Sequence, residues 1–134
     1  MIKSAKLDKE LVLVVKNKAG VLADISKLLA DHGINIEGVA GYAVDGDAKL
    51  MFSVDDTLRA GDALKKKSYS VKEDEVVLVE LENKPGALKG LTAKLAAEKR
   101  DIKYAYGTTC TGTCAARIVL STVNNEKAEI VLNK

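Results

Sequence analysis

Asn-Lys-Ala-Gly-Val-Leu at residues 17–22 returns as Asn-Lys-Pro-Gly-Ala-Leu at residues 83–88, a shift of 66 residues. The same shift continues without a gap and pairs Gly41 with Gly107. Solenoid repeats are shorter and need three or more copies to bury a core, so two copies of this length indicate a duplicated small domain. The sequence therefore predicts two similar units in one chain.

Composition excludes several classes of partner. The 134 residues include 21 basic and 19 acidic side chains, which give a formal net charge of +2. These charges are dispersed along the chain, so they create no field that would attract nucleic acid or an anionic membrane. No apolar run approaches the roughly 20 residues of a membrane span, and residues 1–6 do not form the apolar core of a signal peptide. We expect a cytoplasmic protein without a nucleic-acid or membrane partner.

Hydrophobic periodicity predicts the same order of elements in both repeats: strand, helix, strand, strand, helix. In the first repeat, an aliphatic strand at 11–15 precedes a helix from Val21 that ends at His32-Gly33. A hairpin through residues 45–47 and a helix ending near Lys65-Lys66-Lys67 follow. This order is typical of an α+β fold, the ferredoxin-like βαββαβ sandwich.

The second repeat lacks a last strand, because its final helix runs to residue 132. The shift of 66 aligns residues 2–8 with residues 68–74, so residues 1–6 are candidates for that missing strand. The alternative is local: residues 1–6 form a hairpin with residues 11–15 through the polar segment 7–10, and residues 68–72 pair in the same way with 76–81. The sequence leaves both arrangements open.

The strand that ends in Asn-Lys-(Ala/Pro)-Gly-(Val/Ala)-Leu, the amphipathic helix after it and the Gly-Ile-Asn-Ile of residues 33–36 resemble the ACT domain. The resemblance implies a tandem repeat of two ACT domains, at 1–70 and 71–134. It also implies that the two copies lie side by side in an eight-stranded antiparallel sheet with the helices on one face. An amino acid ligand would lie between the strand-to-helix loop of one copy and its neighbour, and the protein would regulate a separate partner enzyme.

The loop chemistry itself suits a free amino acid. A helix that begins near Gly20 or Gly86 offers unpaired backbone N–H groups to a carboxylate, and glycine allows close approach. Asn17 and Asn83 have both a hydrogen-bond donor and an acceptor. The candidate ligand-binding residues from the first repeat are Asn17, Lys18, Ala19, Gly20, Val21, Leu22 and Asn35. Those from the second repeat are Asn83, Lys84, Pro85, Gly86, Ala87, Leu88 and Asp101.

Asn35 and its counterpart Asp101 enter this set through the family pattern. Because an ionised Asp only accepts hydrogen bonds and would favour an ammonium group, we expect the two sites to bind unequally. Some serine-sensing ACT domains carry a histidine two residues before the Asn, where this chain has Val15 and Leu81. The resemblance then implies a ligand with an apolar or small side chain. The same Asn-Lys-Pro-Gly and Asn-Lys-Ala-Gly segments are also good turn sequences, so a purely structural loop stays open.

The remaining reactive residues indicate no catalytic site. His32 falls in the last turn of a predicted helix, where capping or solvent exposure is its expected role. Cys110 and Cys114 flank a hairpin loop, close enough to bridge, although reduced thiols are the default in a cytoplasmic protein. We therefore predict no enzyme activity, no metal and no cofactor. Two functions stay open: an amino-acid-binding regulatory protein, or a structural subunit that uses the ACT pair for assembly. A homodimer is also open.

Overall fold

The computed structural model describes residues 1–134 and contains six strands and four helices. The strands are β1 (Ile2–Lys16), β2 (Ile36–Val44), β3 (Asp47–Val54), β4 (Val71–Leu81), β5 (Ile102–Thr108) and β6 (Ala116–Thr122). The helices are α1 (Val21–Asp31), α2 (Thr57–Lys66), α3 (Ala87–Ala97) and α4 (Asn125–Leu132). The predicted order of strands and helices is confirmed in both repeats.

The expected eight-stranded sheet is wrong, because the sheet has six strands in the order β2-β3-β1-β4-β6-β5. The polar segment 7–10 is not a link between two strands but the middle of β1, and Glu10 within it is fully buried. A strand continues through polar residues as long as their backbone N–H and C=O groups are hydrogen-bonded to a neighbouring strand. For the same reason β4 is one continuous strand, and the local hairpins considered for residues 1–15 and 68–81 do not form.

The chain divides into two compact units. The first-repeat unit comprises residues 9–74, and the second-repeat unit comprises residues 1–8 together with 75–134. Each boundary falls inside a long strand, β1 or β4, so each of these strands contributes to both units. The assignment of separate ACT domains to 1–70 and 71–134 stays a prediction.

The first-repeat unit has its core between one sheet face and two helices. Antiparallel pairing of β1 with β3 places Leu11 opposite Phe52 and Leu13 opposite Leu50. Alternate residues of a strand share a face, so these four side chains point to the same side. Helix α1 contributes Ile25 and Leu29 to this core, and α2 contributes Ala60 and Leu64. Both helices of the unit therefore pack on one face of its strands.

The second-repeat unit has a core of the same kind. Val77, Val79 and Leu120 of its strands pack against Leu91 of α3 and Leu132 of α4. Residues 1–8 belong to this unit. Ala5 is buried in the same core. The backbone oxygen of Met1 accepts a hydrogen bond from the Glu82 N–H at 2.8 Å.

The two repeats differ in length at one place. Gly20 and Gly86, which precede α1 and α3, are 66 residues apart, whereas the helix caps Asp56 and Asn124 are 68 apart. The two extra residues lie in the connection between β5 and β6. A tight Asp45-Gly46 turn with positive φ at both residues joins β2 to β3, but residues 109–115 join β5 to β6. The shift of 66 therefore becomes 68 beyond this hairpin.

Candidate functional site

The segment 17–22, hereafter the Gly20 loop, joins β1 to α1. Gly20 has φ of +87°, a left-handed conformation that side chains with a Cβ rarely adopt, so glycine is required by the backbone. Its carbonyl oxygen accepts the Asp24 N–H at 2.9 Å, which closes the first turn of the helix. No side chain caps this helix. The N–H groups of Leu22 and Ala23 have no partner within the helix and remain available at its positive end.

The helix that ends each repeat begins differently. The Asp56 side chain accepts the Arg59 N–H at the start of α2, and the Asn124 side chain accepts the Lys127 N–H at the start of α4, both at 3.1 Å. These are ordinary N-caps, in which a side-chain oxygen of the protein accepts a backbone N–H group of the first helical turn. Only α1 and α3, which follow the glycine loops, begin without a side-chain cap. An anion can therefore approach the backbone at these two helix starts.

An open groove of about 560 Å³ lies beside the Gly20 loop, between the start of α1 and the strands β2 and β3. We call it the Gly20 groove. Its walls are mostly apolar. Along β2 the groove is open because Gly41 has no side chain and Ala43 has only a methyl group. The lining residues are Asn17, Lys18, Gly20, Val21, Leu22, Ala23, Val39, Ala40, Gly41, Tyr42, Ala43, Ala48 and Leu50. The fold thus brings the predicted loop residues, with the exception of Ala19, together with a wall from β2 and β3.

Two polar side chains stand at the edge of the Gly20 groove. The Asn17 side chain makes no hydrogen bond within the protein, although its backbone N–H donates to the Gly46 oxygen at 2.9 Å. Lys18 is exposed and forms no ion pair, whereas nearby Lys16 lies 3.7 Å from Asp47. A free ammonium group beside an uncapped helix start creates a positive site, which suits a carboxylate.

The segment 83–88, hereafter the Gly86 loop, has a backbone conformation like that of the Gly20 loop. Other residues of its own unit contact it where the Gly20 loop borders an open groove. Gly86 has φ of +90°. The Asn83 side-chain amide donates to the carbonyl oxygens of Cys110, at 2.9 Å, and Gly112, at 3.2 Å. A methyl group placed on Gly86 would lie 3.7 Å from the terminal methyl of Met1, which therefore lies against this loop.

The charge beside the Gly86 loop is neutralised as well. Lys84 forms an ion pair with Glu82, the residue that takes the place of Lys16 in the second repeat. The hydrogen bond and the positive charge of Lys84 lower the pKa of the Glu82 carboxyl below its usual range. The two loops thus differ in local charge: Lys18, which precedes Gly20, forms no ion pair because Asp47 lies beside Lys16, whereas Lys84, which precedes Gly86, is paired with Glu82.

Asn35 and Asp101 lie away from the glycine loops of their own units. The Asn35 N–H donates to the Asp55 carboxylate at 3.0 Å, and its carbonyl oxygen accepts the Asp55 N–H at 3.1 Å. Asn35 precedes β2, whose opposite end lies beside Asn17, so it does not line the Gly20 groove. The Asp101 oxygen accepts the Val123 N–H at 3.2 Å before β5. A ligand-binding role for these two residues stays a prediction.

His32, the two tyrosines of β5 and the two cysteines have structural surroundings. His32 follows the last turn of α1, and its Nδ1 lies 2.9 Å from the Leu28 carbonyl oxygen. Tyr104 and Tyr106 pack beside a small buried cluster that contains Leu78. Cys110 and Cys114 are joined by a disulfide bond. No cluster of three or more His, Cys, Asp or Glu side chains is arranged to bind a metal ion.

Sequence reasoning did not identify the groove wall. Val39, Ala43 and Leu50 line the Gly20 groove, but the sequence predicts for them only a place in the strands of a hairpin. Gly41 and Ala43 could have indicated this wall. They lie two residues apart on the helix-facing side of the edge strand β2, and their small size leaves space between that strand and α1. The role of the Cys110–Cys114 connection beside Asn83 was also missed, because the two segments are 27 residues apart in sequence.

Comparison with known proteins agrees with this architecture. Residues 9–67 match the ACT domain. The match covers the first repeat, so a tandem of two ACT domains is not shown, and the whole chain is described as an ACT-like fold. No curated protein has a sequence that matches the chain.

Solved structures are similar over nearly the full length of the chain. Protein BT0572 from Bacteroides thetaiotaomicron is 29% identical, with a TM-score of 0.88 over 96% of this chain and 88% of that one. The ligand-free regulatory subunit of aspartate kinase from Thermus thermophilus is 15% identical, with a TM-score of 0.68 over 98% and 96% of the two chains.

The aspartokinase alpha and beta subunits give a TM-score of 0.63 at 18% identity, over 99% of this chain and 97% of that one. At this level of identity, the two aspartate kinase matches establish a common fold. None of the four helices is long and apolar enough to cross a membrane.

Proposed function

We propose that this protein is a regulatory protein that binds an amino acid in the Gly20 groove and acts on a separate enzyme of amino acid metabolism. The ACT match over residues 9–67 supports a ligand-binding regulatory role. The likeness in fold to regulatory subunits of aspartate kinase supports the same class of function. In this proposal the second repeat is a diverged ACT domain, and the protein itself catalyses no reaction.

One observation carries the proposal: α1 begins without a side-chain cap, and its start opens onto an apolar groove. The helices α2 and α4 are capped by side chains instead, and the loop before the likewise uncapped α3 is filled by the contacts of Asn83 and Met1. The backbone N–H groups of Leu22 and Ala23 would receive the carboxylate of the ligand, and the Lys18 ammonium group would add attraction.

The other ligand groups have complementary partners in the same groove. The Asn17 side-chain oxygen would accept a hydrogen bond from the α-ammonium group, since that side chain has no competing partner in the protein. Val39, Ala43 and Leu50 offer an apolar wall for an aliphatic side chain. A charged or strongly polar side chain would lose its hydration against this wall without gaining a partner, so it would bind less tightly.

The position of β2 connects binding to regulation. This strand is both a wall of the groove and the edge of the sheet. An edge strand presents unpaired backbone groups that a partner protein can contact. A ligand held against β2 would change the surface offered to the partner enzyme, and the partner would in turn change the ligand affinity by the same factor.

A thermal-shift screen with the twenty amino acids, followed by calorimetry, tests the proposal. A ligand present at about 100 times its Kd adds about 2.7 kcal/mol to the free energy of unfolding. We expect the largest shift with an aliphatic amino acid and a stoichiometry near one per chain.

Two variants with equal backbone strain locate the site. Gly20→Val and Gly86→Val each force a β-branched side chain into a left-handed conformation, with φ near +87° or +90°. We expect Gly20→Val to abolish binding and Gly86→Val to leave it unchanged. Equal loss in both variants would show that binding requires only an intact fold. If none of the twenty amino acids raised the melting temperature, the alternative function, a structural subunit used for assembly, would be favoured.

A further inference from the structure

The connection between β5 and β6 distinguishes the second-repeat unit from the first. It spans residues 109–115 and is closed by the Cys110–Cys114 disulfide, whereas Asp45-Gly46 makes the equivalent turn in the first repeat. Both cysteines are exposed, so solution thiols can reach the sulfur atoms. Exposed disulfides exchange more readily than buried ones. We call residues 110–114 the disulfide loop.

The disulfide loop holds the Gly86 loop through one side chain. The Asn83 amide group donates to the oxygens of both Cys110 and Gly112. These two acceptors belong to the closed ring, so the disulfide fixes the distance between them. In the first repeat, the equivalent Asn17 side chain makes no hydrogen bond within the protein, and its loop borders an open groove.

We propose that the Cys110–Cys114 disulfide is a reversible redox latch that holds the Gly86 loop. A dithiol reductant opens it: one thiolate of the reductant attacks a cysteine sulfur and forms a mixed disulfide, and the other protein sulfur leaves as a thiolate. The second thiol of the reductant then displaces the remaining cysteine. Two electrons and two protons pass from the dithiol to the protein, which gains two thiols while the reductant becomes a disulfide.

Reduction acts on the Gly86 loop through the geometry of its acceptors. Without the cross-link, residues 110–114 gain conformational freedom, because a covalent constraint on a short loop has been removed. The separation between the Cys110 and Gly112 carbonyl oxygens is then no longer fixed. The Asn83 amide therefore cannot keep its hydrogen bonds to both oxygens at the same time. The Gly86 loop then becomes more mobile, and the uncapped start of α3 becomes more accessible. The Gly20 loop lacks this connection and does not respond.

Hydrogen exchange measured by mass spectrometry tests the latch on the full chain. The oxidised protein is compared with protein reduced by excess dithiothreitol, and thiol alkylation verifies each redox state. Within residues 84–88, the hydrogen-bonded amides are those of Lys84 and Ala87, and we expect these to exchange about tenfold faster after reduction, which corresponds to ~1.4 kcal/mol. Within residues 18–22, the Val21 amide, which donates to the Lys18 oxygen as Ala87 does to that of Lys84, provides an internal control and should exchange at the same rate in both states.

Two variants separate the latch from a general loosening of the fold. A Cys110→Ser/Cys114→Ser protein should show the fast exchange of residues 84–88 under oxidising and reducing conditions alike. In Asn83→Ala, these amides should exchange fast in both redox states while the disulfide still forms.

Equal protection of residues 84–88 in both redox states of the wild type would overturn the proposal. So would an equal increase at residues 18–22, or a persistent redox response in Asn83→Ala. A protein whose cysteines stay as free thiols under mild oxidation would overturn it as well. None of these measurements involves a ligand, so the result is independent of whether an amino acid binds in the Gly20 groove.

Discussion

The Gly20 loop and the Gly86 loop share a backbone but not their surroundings. Each glycine has a left-handed φ, each precedes an uncapped helix, and each loop begins with Asn-Lys after the end of a strand. Around Gly20 there is an open groove with a free Lys18. Around Gly86, Asn83 is bound by the disulfide loop, Lys84 by Glu82, and Met1 lies against the glycine. Local sequence sets the shape of such a loop, but distant segments decide whether it can accept a ligand.

The largest expected difference between the repeats concerns Gly107 and Gly41, which occupy equivalent positions in the edge strands. A Cβ at Gly107 would lie 2.4 Å from the backbone oxygen of Arg117, which cannot move freely, whereas a Cβ at Gly41 would meet the end of the flexible Leu50 side chain at 2.7 Å. We expect Gly107→Ala to lower the free energy of unfolding by about 3 kcal/mol and Gly41→Ala by about 1 kcal/mol. Urea denaturation measures both. Equal losses would mean that the two edge strands are equally tolerant of a side chain.

A smaller effect tests whether the two loops have equal backbone strain. Gly20→Ala and Gly86→Ala should each cost about 1–2 kcal/mol of stability, because an L-residue is forced to a positive φ. Gly20→Asn and Gly86→Asn serve as controls and should cost less, since Asn tolerates the left-handed conformation. Thermal denaturation compares the four proteins. A much larger cost at one glycine would show that the backbones are not equivalent.

The hydrogen bonds of the paired asparagines should differ more modestly. Asn83→Ala removes two hydrogen bonds between exposed groups, and we expect a loss of about 0.5–1 kcal/mol. Asn17→Ala removes no side-chain hydrogen bond and should be nearly neutral for stability. Chemical denaturation of the oxidised, ligand-free proteins gives both values. A destabilising Asn17→Ala would remove the reason for treating Asn17 as available to a ligand.

The smallest effect is the pH dependence of the Glu82 and Lys84 pair. Because the pKa of Glu82 is lowered in the folded protein, its contribution to stability is present above the unfolded pKa and is lost as the pH falls through the folded value. Glu82→Gln should therefore be less stable than wild type near neutral pH, and the difference should shrink as the pH falls below about 4. Thermal melts across this range measure it. A difference that does not vary with pH would assign the effect to something other than ionisation.

Much of the fold could be predicted because the repeat supplies each element twice. The apolar spacing of Val21, Ile25 and Leu29 was sufficient to predict α1, and Gly33 marked its end. The number of strands was not predictable from the same patterns. Three of the residues 7–10 are charged, and nothing local distinguishes such a stretch inside a strand from a connection between two strands. Only the pairing of the backbone decides between them.

The candidate site shows the same limit. Gly20 and Gly86 were recognisable from sequence because the Asn-Lys-X-Gly segment occurs twice, 66 residues apart, before a helical pattern. The groove wall at Val39 and Leu50 depends on how β2 and β3 lie beside α1, and the contact between Asn83 and the disulfide loop depends on the β5–β6 connection. Such contacts between distant segments leave no periodic pattern in the sequence, so they could not be predicted.

The division of β1 between the two units has a consequence for the order of events during synthesis. Residues 9–74 emerge from the ribosome as one uninterrupted segment, so the first-repeat unit can form from contacts within that segment. The second-repeat unit cannot do so, because Ala5 must wait for Asn133, which donates to its oxygen across 128 positions. Until residues 75–134 have been synthesised, residues 1–8 lack the full set of partners of their unit, and closing such a long loop slows folding. The nascent chain therefore carries a strand segment that is not yet paired, and unpaired strand edges are prone to associate with other chains.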